Sequence, residues 1–162
     1  MTGSPKLNFD INGIKECQRN RHPILFLDKV VDVVPKQRAT GVKAFSYNEW
    51  FFPAHYEDEP TVPGFILVET MVQTFIMTFL TMPEHKGSKT NFLNIGNGSF
   101  RRQIVPGDTL VVNAELASLK RGIARGKADA YVGDEFACSA DFVVSIRSAT
   151  DAIFQKMKEK HS

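Results

Sequence analysis

The residues best suited to chemistry lie in one segment of the chain, residues 48–73, which reads NEWFFPAHYEDEPTVPGFILVETMVQ. His55 follows an aromatic cluster in this segment, and Glu69 lies in the apolar stretch that comes next. An imidazole titrates near neutral pH and can accept a proton. Apolar surroundings raise the pKa of a carboxyl, which can then donate one. Spacing alone leaves other interpretations open: His55 could be a packing residue, and Glu69 could bind a backbone group or an arginine.

Gly64 is a candidate for binding an oxygen that gains negative charge during a reaction. It lies at the first turn of the apolar stretch, where backbone N–H groups have no partner within a helix. The helix dipole adds to the positive potential at that end, and glycine lets a ligand approach the backbone closely. The alternative is an ordinary Pro-Gly turn that precedes a helix.

The elements that must position these residues begin with a long helix. Residues 65–82 read FILVETMVQTFIMTFLTM, with Glu69 as the only charged residue. A bilayer-spanning helix needs about 20 mostly apolar residues, whereas this stretch is shorter and contains Glu69, Gln73 and four threonines. It is apolar nearly all round, which predicts a helix buried on most sides. Glu69 and Gln73 lie one turn apart on the same face and indicate a site or an interface.

Extended segments surround this helix in the sequence. Alternating or β-branched patterns bounded by Pro, Gly and Asp turns predict strands over residues 26–34, 38–45, 91–100, 109–119, 123–132 and 135–146. A hairpin, then a buried helix, then consecutive strands predict an α+β fold in which an antiparallel sheet is curled around one helix. We expect a single domain over residues 1–162, with residues 1–10 loose and a charged C-terminal helix over residues 150–162.

Composition excludes several classes of protein. A net charge of +2, from 20 basic and 18 acidic residues, argues against a disordered polyelectrolyte and a dedicated nucleic-acid binder. Cys17 and Cys138 are far apart, so neither a disulfide scaffold nor a zinc site is expected. No metal site, cofactor or signal peptide is predicted, and we expect a cytoplasmic protein. The 13 phenylalanines indicate a heavy core or an apolar cavity.

Three motifs in the correct order resemble the FabZ-type β-hydroxyacyl-[acyl-carrier-protein] dehydratases. That family carries the patterns N-E-x-F-F-x-G-H-F-P, P-x-x-P-G and E-A-x-A-Q in its active-site segment. Residues 99–122 resemble its F-R-R-P-V-x-P-G-D segment, and residues 21–32 its R-Y-P-F-L-L-V-D-R-V segment. The resemblance covers roughly residues 15–146. Within the active-site segment, the matching residues are Asn48, Glu49, Phe51, Phe52, His55, Pro60, Pro63, Gly64, Glu69 and Gln73.

The resemblance implies a hotdog fold, an antiparallel sheet wrapped around a long central helix, paired into a homodimer that in some members forms a trimer of dimers. It implies removal of water from a 3-hydroxyacyl thioester to give the trans-2-enoyl product. His55 of one subunit would be the base and Glu69 of the other the acid, while the Gly64 N–H stabilises the enolate-like oxygen. Phe52, Tyr56, Gln73 and Phe100 are the other residues we expect to contact substrate.

The partner that the resemblance implies is acyl carrier protein, which carries the acyl chain on phosphopantetheine. An acidic carrier would dock on basic residues, for which we assign Arg101, Arg102, Lys120 and Arg121. No nucleic acid and no membrane span are expected.

Two alternatives remain at this stage. One is a hotdog thioesterase in which Glu69 activates water. The other is a catalytically degenerate acyl-binding module, an idea supported by Ala54 in place of the glycine that precedes the family histidine and by the acidic run Glu57-Asp58-Glu59.

Overall fold

We describe residues 5–160 of the chain from a computed structural model. The elements follow in chain order: β1 (Leu7–Phe9), α1 (Ile11–Cys17), β2 (Lys29–Val34), β3 (Arg38–Ala44), α2 (Phe51–His55), α3 (Gly64–Leu80), β4 (Thr90–Phe100), β5 (Thr109–Lys120), β6 (Ile123–Val132), β7 (Glu135–Ile146) and α4 (Arg147–Glu159). The predicted α+β class is confirmed.

All seven strands form one antiparallel sheet in the order β1-β2-β3-β5-β6-β7-β4. Strand β4 follows the long helix in sequence and crosses to the far edge, where it pairs with β7. The consecutive strands β5, β6 and β7 pair with one another through short turns. The sheet therefore wraps around α3, which contacts β2, β3, β5, β6 and β7.

The threonines of helix α3 can be buried because their hydroxyls are hydrogen-bonded within the helix. The hydroxyls of Thr70, Thr74 and Thr81 donate to carbonyl oxygens four residues earlier, and Thr78 donates to the Phe75 carbonyl, at 2.7–3.0 Å. A threonine bonded to its own helix can be buried without an orphaned hydroxyl. Within residues 5–160, no helix is long and apolar enough to span a membrane.

Two glycines let α3 lie close to the sheet. A Cβ atom at Gly41 of β3 would overlap the Thr74 side chain, and one at Gly126 of β6 would overlap the Phe75 ring and the Glu115 backbone. At these positions the helix and the strands approach more closely than any larger residue allows. The close packing fixes α3, and therefore Glu69, relative to the sheet.

The N-terminal region is more ordered than predicted. Residues 1–4 lie outside the described residues, but Leu7 and Phe9 pair with β2, and Asp10 caps α1 by accepting from the Gly13 N–H at 2.9 Å. The expectation that residues 1–10 are loose is therefore wrong for β1, which is too short and too polar for a sequence pattern to reveal. The sequence patterns also did not predict helices α1 and α2, since each is only one or two turns long.

The predicted strands are otherwise close to those observed. The first begins at Lys29 and not at residue 26, because the Phe26 N–H donates to a side chain of α3 and not to a neighbouring strand. The C-terminal helix begins at Arg147, earlier than predicted, and residues 161–162 of the predicted range lie outside the described residues. Cys17 and Cys138 are buried free thiols, and burial raises the pKa of Cys138 to about 11.

Candidate active site

A short helix positions His55. Phe51 and Phe52 are buried and anchor α2 in the core, where the Phe51 ring packs edge-on against Phe26 and Phe45. Pro53 lies in the first turn of this helix, where a backbone N–H has no intrahelical acceptor, so proline is tolerated there. His55 is the last residue of α2, so the buried aromatic residues hold the histidine at the surface end of a rigid turn.

One ring nitrogen of His55 is hydrogen-bonded to a backbone carbonyl oxygen. Its Nδ1 lies 3.0 Å from the Thr61 carbonyl oxygen and 3.4 Å from the Thr61 hydroxyl. A carbonyl only accepts hydrogen bonds, so the neutral ring carries its hydrogen on Nδ1 and keeps a lone pair on Nε2. Tyr56 stacks beside the ring, with centroids 4.0 Å apart. The imidazole is thus oriented with Nε2 available as a base.

Glu69 is held by two amide side chains. Its Oε1 accepts from Gln73 Nε2 at 2.8 Å and from Asn20 Nδ2 at 3.1 Å. Desolvation by burial raises the pKa of Glu69, and the hydrogen bonds from Gln73 and Asn20 partly offset that rise. Both donors contact the same oxygen, which leaves Oε2 as the atom that can carry the proton. This is the arrangement of a carboxyl ready to donate.

Gln73 positions Glu69 and is itself fully buried. Its Nε2 also donates to the Ile24 carbonyl at 2.8 Å, and its Oε1 accepts from the Phe26 N–H at 3.0 Å. Both donor hydrogens of Gln73 are engaged within the chain and its side chain is completely buried, so Gln73 has no donor left for a ligand. We predicted that Gln73 contacts substrate; the structure corrects this, and Gln73 instead orients the carboxyl.

The start of α3 is open on one side. Gly64 is the exposed first residue of the helix, after Pro63. A Cβ atom built on Gly64 would meet only the Phe100 ring, at 3.6–3.7 Å. Phe100 is half exposed and lies at the end of β4. The Gly64 N–H has no acceptor within the helix, and the space beside the Gly64 Cα is bordered by an aromatic ring.

An apolar cavity of about 620 Å³ borders Glu69. Glu69 is the one ionisable residue among its described lining residues, and the others are apolar: Ile24, Phe26, Trp50, Phe65, Ile66, Val68, Phe92 and Ile95. A ligand pocket of this size and composition suits a hydrocarbon chain. Part of the phenylalanine excess lines this cavity, and part of it, including Phe75, Phe79 and Phe142, lies in the core.

The two candidate catalytic residues share no cavity and no hydrogen bond among the described residues. Glu69 borders the apolar cavity and a smaller one behind it, and His55 borders neither. His55 contacts Thr61 and Tyr56, whereas Glu69 contacts Asn20 and Gln73.

Phe52 and Tyr56, also predicted to contact substrate, differ in exposure. Phe52 is completely buried in the core cluster, so the structure corrects its assignment: it anchors α2 and reaches no cavity that borders Glu69. Tyr56 is 57% exposed and stacks on His55, which leaves its hydroxyl accessible to a ligand.

The predicted basic docking surface is divided between two ends of the sheet. Phe100 pairs with Cys138 of β7, and Lys120 pairs with Ile123, which is level with Ser145 of β7. Seven residues of strand separate these levels, or about 23 Å. Arg101 therefore lies at the Gly64 end of α3. Lys120 and Arg121 lie at its other end, where Arg121 borders a separate polar cavity.

Arg102 is not free to bind a partner. Its Nη1 donates to Asp108 at 2.6 Å and its Nε donates to Glu135 at 2.8 Å. The structure therefore corrects the assignment of Arg102, which closes the turn between β4 and β5. Arg101 is exposed and donates only to the Ser99 hydroxyl among the described side chains, at 3.0 Å.

Sequence reasoning missed two residues of the site. Asn20 contacts Glu69 across 49 residues of sequence, and Thr61 holds His55 through a backbone oxygen. Every residue has a backbone oxygen, so the residue type at position 61 could not predict this contact. Asn20 lies directly before the segment that begins at Arg21, and neither its residue type nor its spacing from Glu69 predicts the contact.

The comparisons agree with this geometry. Residues 19–141 match the FabA-like domain. A 3-hydroxyacyl-[acyl-carrier-protein] dehydratase FabZ from Desulforamulus reducens is 37% identical over 137 residues, which cover 85% of this chain and 96% of that protein. The bifunctional enzyme LpxC/FabZ from Porphyromonas gingivalis is 42% identical over 139 residues, which cover 85% of this chain and 30% of that protein.

A solved structure shares the fold. The dehydratase heterocomplex ApeI:P from Xenorhabdus doucetiae superposes with a TM-score of 0.72 at 12% identity, over 82% of this chain and 90% of that one. At this identity the likeness concerns the fold alone, and it confirms the predicted hotdog arrangement. The sequence matches show the family as well as the fold, since they span the segments that contain His55, Gly64 and Glu69. The chain belongs to the FabZ-type 3-hydroxyacyl-[acyl-carrier-protein] dehydratase family.

Proposed function

We propose that the protein removes water from a 3-hydroxyacyl thioester carried on acyl carrier protein, with His55 as base and Glu69 as acid. The observation that carries the proposal is the environment of Glu69: a carboxyl of raised pKa, oriented through Oε1, at the border of an apolar cavity. A raised pKa favours the protonated form of Glu69, and a protonated carboxyl can donate to a poor leaving group such as hydroxide.

The elimination balances with these two groups. His55 Nε2 takes the proton from C2, the C2–H electron pair forms the C2=C3 double bond, and the C3–O bond breaks. The Oε2 proton of Glu69 passes to the departing oxygen, which leaves as water. While C2 loses its proton, the thioester oxygen gains negative charge, and the Gly64 N–H at the start of α3 stabilises it.

The complete site is proposed to form between two copies of the chain. Strand β4 is at the edge of the sheet, and Phe92, Leu93 and Ile95 on it are 43–55% exposed. An edge strand that is long and apolar pairs readily with another strand. Pairing along β4 would close the apolar cavity, which Phe92 and Ile95 line, and would bring His55 of one copy toward Glu69 of the other.

The carrier protein is proposed to dock at the Gly64 end of α3. Arg101 is exposed there, adjacent in sequence to Phe100, whose ring lies against Gly64. A phosphopantetheine arm that enters at this end places the thioester at Gly64 and its acyl chain in the apolar cavity. Lys120 and Arg121, at the other end of the sheet, contribute less to docking in this arrangement.

The experiment that tests the function is hydration of a crotonyl thioester, followed by loss of enoyl absorbance. We expect His55→Ala and Glu69→Gln each to lower kcat by about 10²–10⁴, with unchanged circular dichroism. His85→Ala is the matched control, because His85 lies in the loop after α3. Full turnover in either active-site variant contradicts the assignment. Release of free thiol from a saturated acyl thioester, which has no double bond to hydrate, would identify a thioesterase instead.

A further inference from the structure

A second, smaller cavity also borders Glu69 and shares lining residues with a third. The second has a volume of about 160 Å³ and shares Glu69 and Phe92 with the apolar cavity. It shares Asn20, Ile76 and Thr90 with a cavity of about 300 Å³, bordered by Arg19, Ser88, Lys89 and Asn91. Along α3 this path follows Glu69, Val72, Ile76 and Leu80, residues three and four apart on one helix face.

The chemistry of the lining changes along this path. The cavity on the substrate side of Glu69 is almost entirely apolar. The outermost cavity carries amide, hydroxyl and cationic groups from Asn20, Ser88, Thr90, Asn91 and Lys89. A hydrocarbon chain in that cavity would leave these groups without partners, which is costly, whereas water would satisfy them.

Gln18 gives independent support. It borders the outermost cavity and is completely buried. Its Nε2 donates to the Gln73 carbonyl, but its Oε1 is the one buried side-chain polar atom among the described residues with no hydrogen-bond partner. A buried acceptor next to a polar cavity is satisfied by a small donor within that cavity. Water is the smallest ligand that meets this requirement, at about 30 Å³ per molecule.

We propose that these two joined cavities form a water site and the route by which water released at Glu69 reaches solvent. The route rests on the proposed dehydratase function. Asn20 lies where the route meets the catalytic carboxyl: it donates to Glu69 Oε1 and borders both cavities. The departing hydroxyl takes the Oε2 proton and leaves as water behind Glu69, away from the acyl chain. His55 then releases the C2 proton to solvent, and water in the route relays one solvent proton to the Glu69 carboxylate, so that both groups return to their starting states.

The test uses substitutions that narrow the proposed water route and leave Glu69 unchanged. Thr90 is the first residue of β4 and borders both polar cavities, so Thr90→Leu adds bulk between them. Ser88→Leu narrows only the outer cavity and serves if Thr90→Leu does not fold. Thr109→Leu is the matched control, since Thr109 is the exposed first residue of β5. Thermal unfolding verifies that each variant is folded.

The measurement uses a 3-hydroxyacyl thioester labelled with ¹⁸O at its hydroxyl, incubated in D₂O. In recovered substrate, deuterium at C2 reports cleavage of the C–H bond, and loss of ¹⁸O reports escape of water. If water leaves through this route, narrowing it lets the same oxygen add back before escape. We expect the ratio of deuterium gain to ¹⁸O loss to rise several-fold in Thr90→Leu or Ser88→Leu and to stay unchanged in Thr109→Leu.

Three other results overturn the proposal, and they differ from one another. Unchanged ratios in folded, active variants mean that water leaves elsewhere, while the dehydratase function stands. Loss of activity toward long acyl chains only, with an unchanged ratio, means that these cavities hold the acyl tail. Absence of turnover and of deuterium exchange in the unmodified protein removes the proposed function, and the water route with it.

Discussion

Gln73 Nε2 lies 2.8 Å from Glu69 Oε1, one helical turn away on α3. The same amide accepts from the Phe26 N–H and donates to the Ile24 carbonyl, both on the segment that leads into β2. A single buried side chain therefore fixes the carboxyl of the proposed acid and joins the central helix to the sheet. Activity and stability are coupled at this residue.

Replacement of Gln73 by leucine is expected to lower both stability and activity. The Phe26 N–H and the Ile24 carbonyl would lose their partners in a buried region, which costs about 1–3 kcal/mol for each orphaned group. Urea unfolding measures this loss, and crotonyl-thioester hydration measures activity. Thr40→Leu is a suitable control, because Thr40 is a strand residue that bonds only to the Asn113 side chain at the surface. A Gln73→Leu protein of unchanged stability contradicts the assigned positioning role.

The pH dependence of stability is expected to report the burial of Glu69. Its pKa is raised in the folded protein, mainly by desolvation, so the folded state holds this proton more tightly than the unfolded state. The stability that the protonated group contributes is present below its unfolded pKa and is lost as the pH rises through the folded pKa.

Glu69→Gln removes that titration. We therefore expect the variant to have a higher Tm than the unmodified protein at pH 8, and the difference to shrink toward pH 4. Thermal unfolding across this pH range is the measurement. Because the same variant is expected to lose activity, a Tm that is equal to or below that of the unmodified protein at pH 8 would argue against a costly buried carboxylate.

Gly64→Ala is expected to separate catalysis from folding. A Cβ atom there meets only the Phe100 ring at ordinary contact distance, and alanine in a helical conformation stabilises by about 0.4–1 kcal/mol. The methyl group would occupy the space in which the thioester oxygen approaches the N–H. We expect kcat/KM to fall by about 10²-fold while Tm stays equal or rises. Unchanged kcat/KM would remove Gly64 from the oxyanion site.

Mixing two inactive variants is expected to restore activity if the site forms between subunits. In a mixed dimer of His55→Ala and Glu69→Gln subunits, one of the two sites contains both native residues. Random reassortment of equal amounts would restore about one quarter of the unmodified activity, since half of the dimers are mixed. The two variants are refolded together and assayed beside each variant refolded alone. No recovery, with mixed dimers present, would place both groups in one chain.

Charge reversal at the two ends of the sheet is expected to give different results. Arg101→Glu should raise KM for a carrier-bound substrate severalfold through lost electrostatic attraction and leave a small thioester analogue unaffected. Lys120→Glu, about 23 Å away along the strands, makes the same charge change and should have little effect on either substrate. Equal effects of the two variants would mean that docking does not depend on this end of α3.

The sequence by itself determined the family, the element order and the three residue types of the proposed chemistry. These are local properties: a run of apolar residues defines α3, alternation defines the strands, and motif spacing fixes His55, Gly64 and Glu69 along the chain. The comparisons confirm the family and the fold that these patterns predicted.

Only the tertiary structure decided what each side chain contacts. Gln73 and Phe52 matched the family motif, yet packing buries both and gives them positioning roles. Arg101, Arg102 and Lys120 belong to one basic region in sequence, but ion pairs occupy Arg102 and the strand register places Lys120 at the other end of the sheet. Asn20 reaches Glu69 across 49 residues. Such contacts depend on the closure of the sheet around α3, which joins residues that no spacing rule connects.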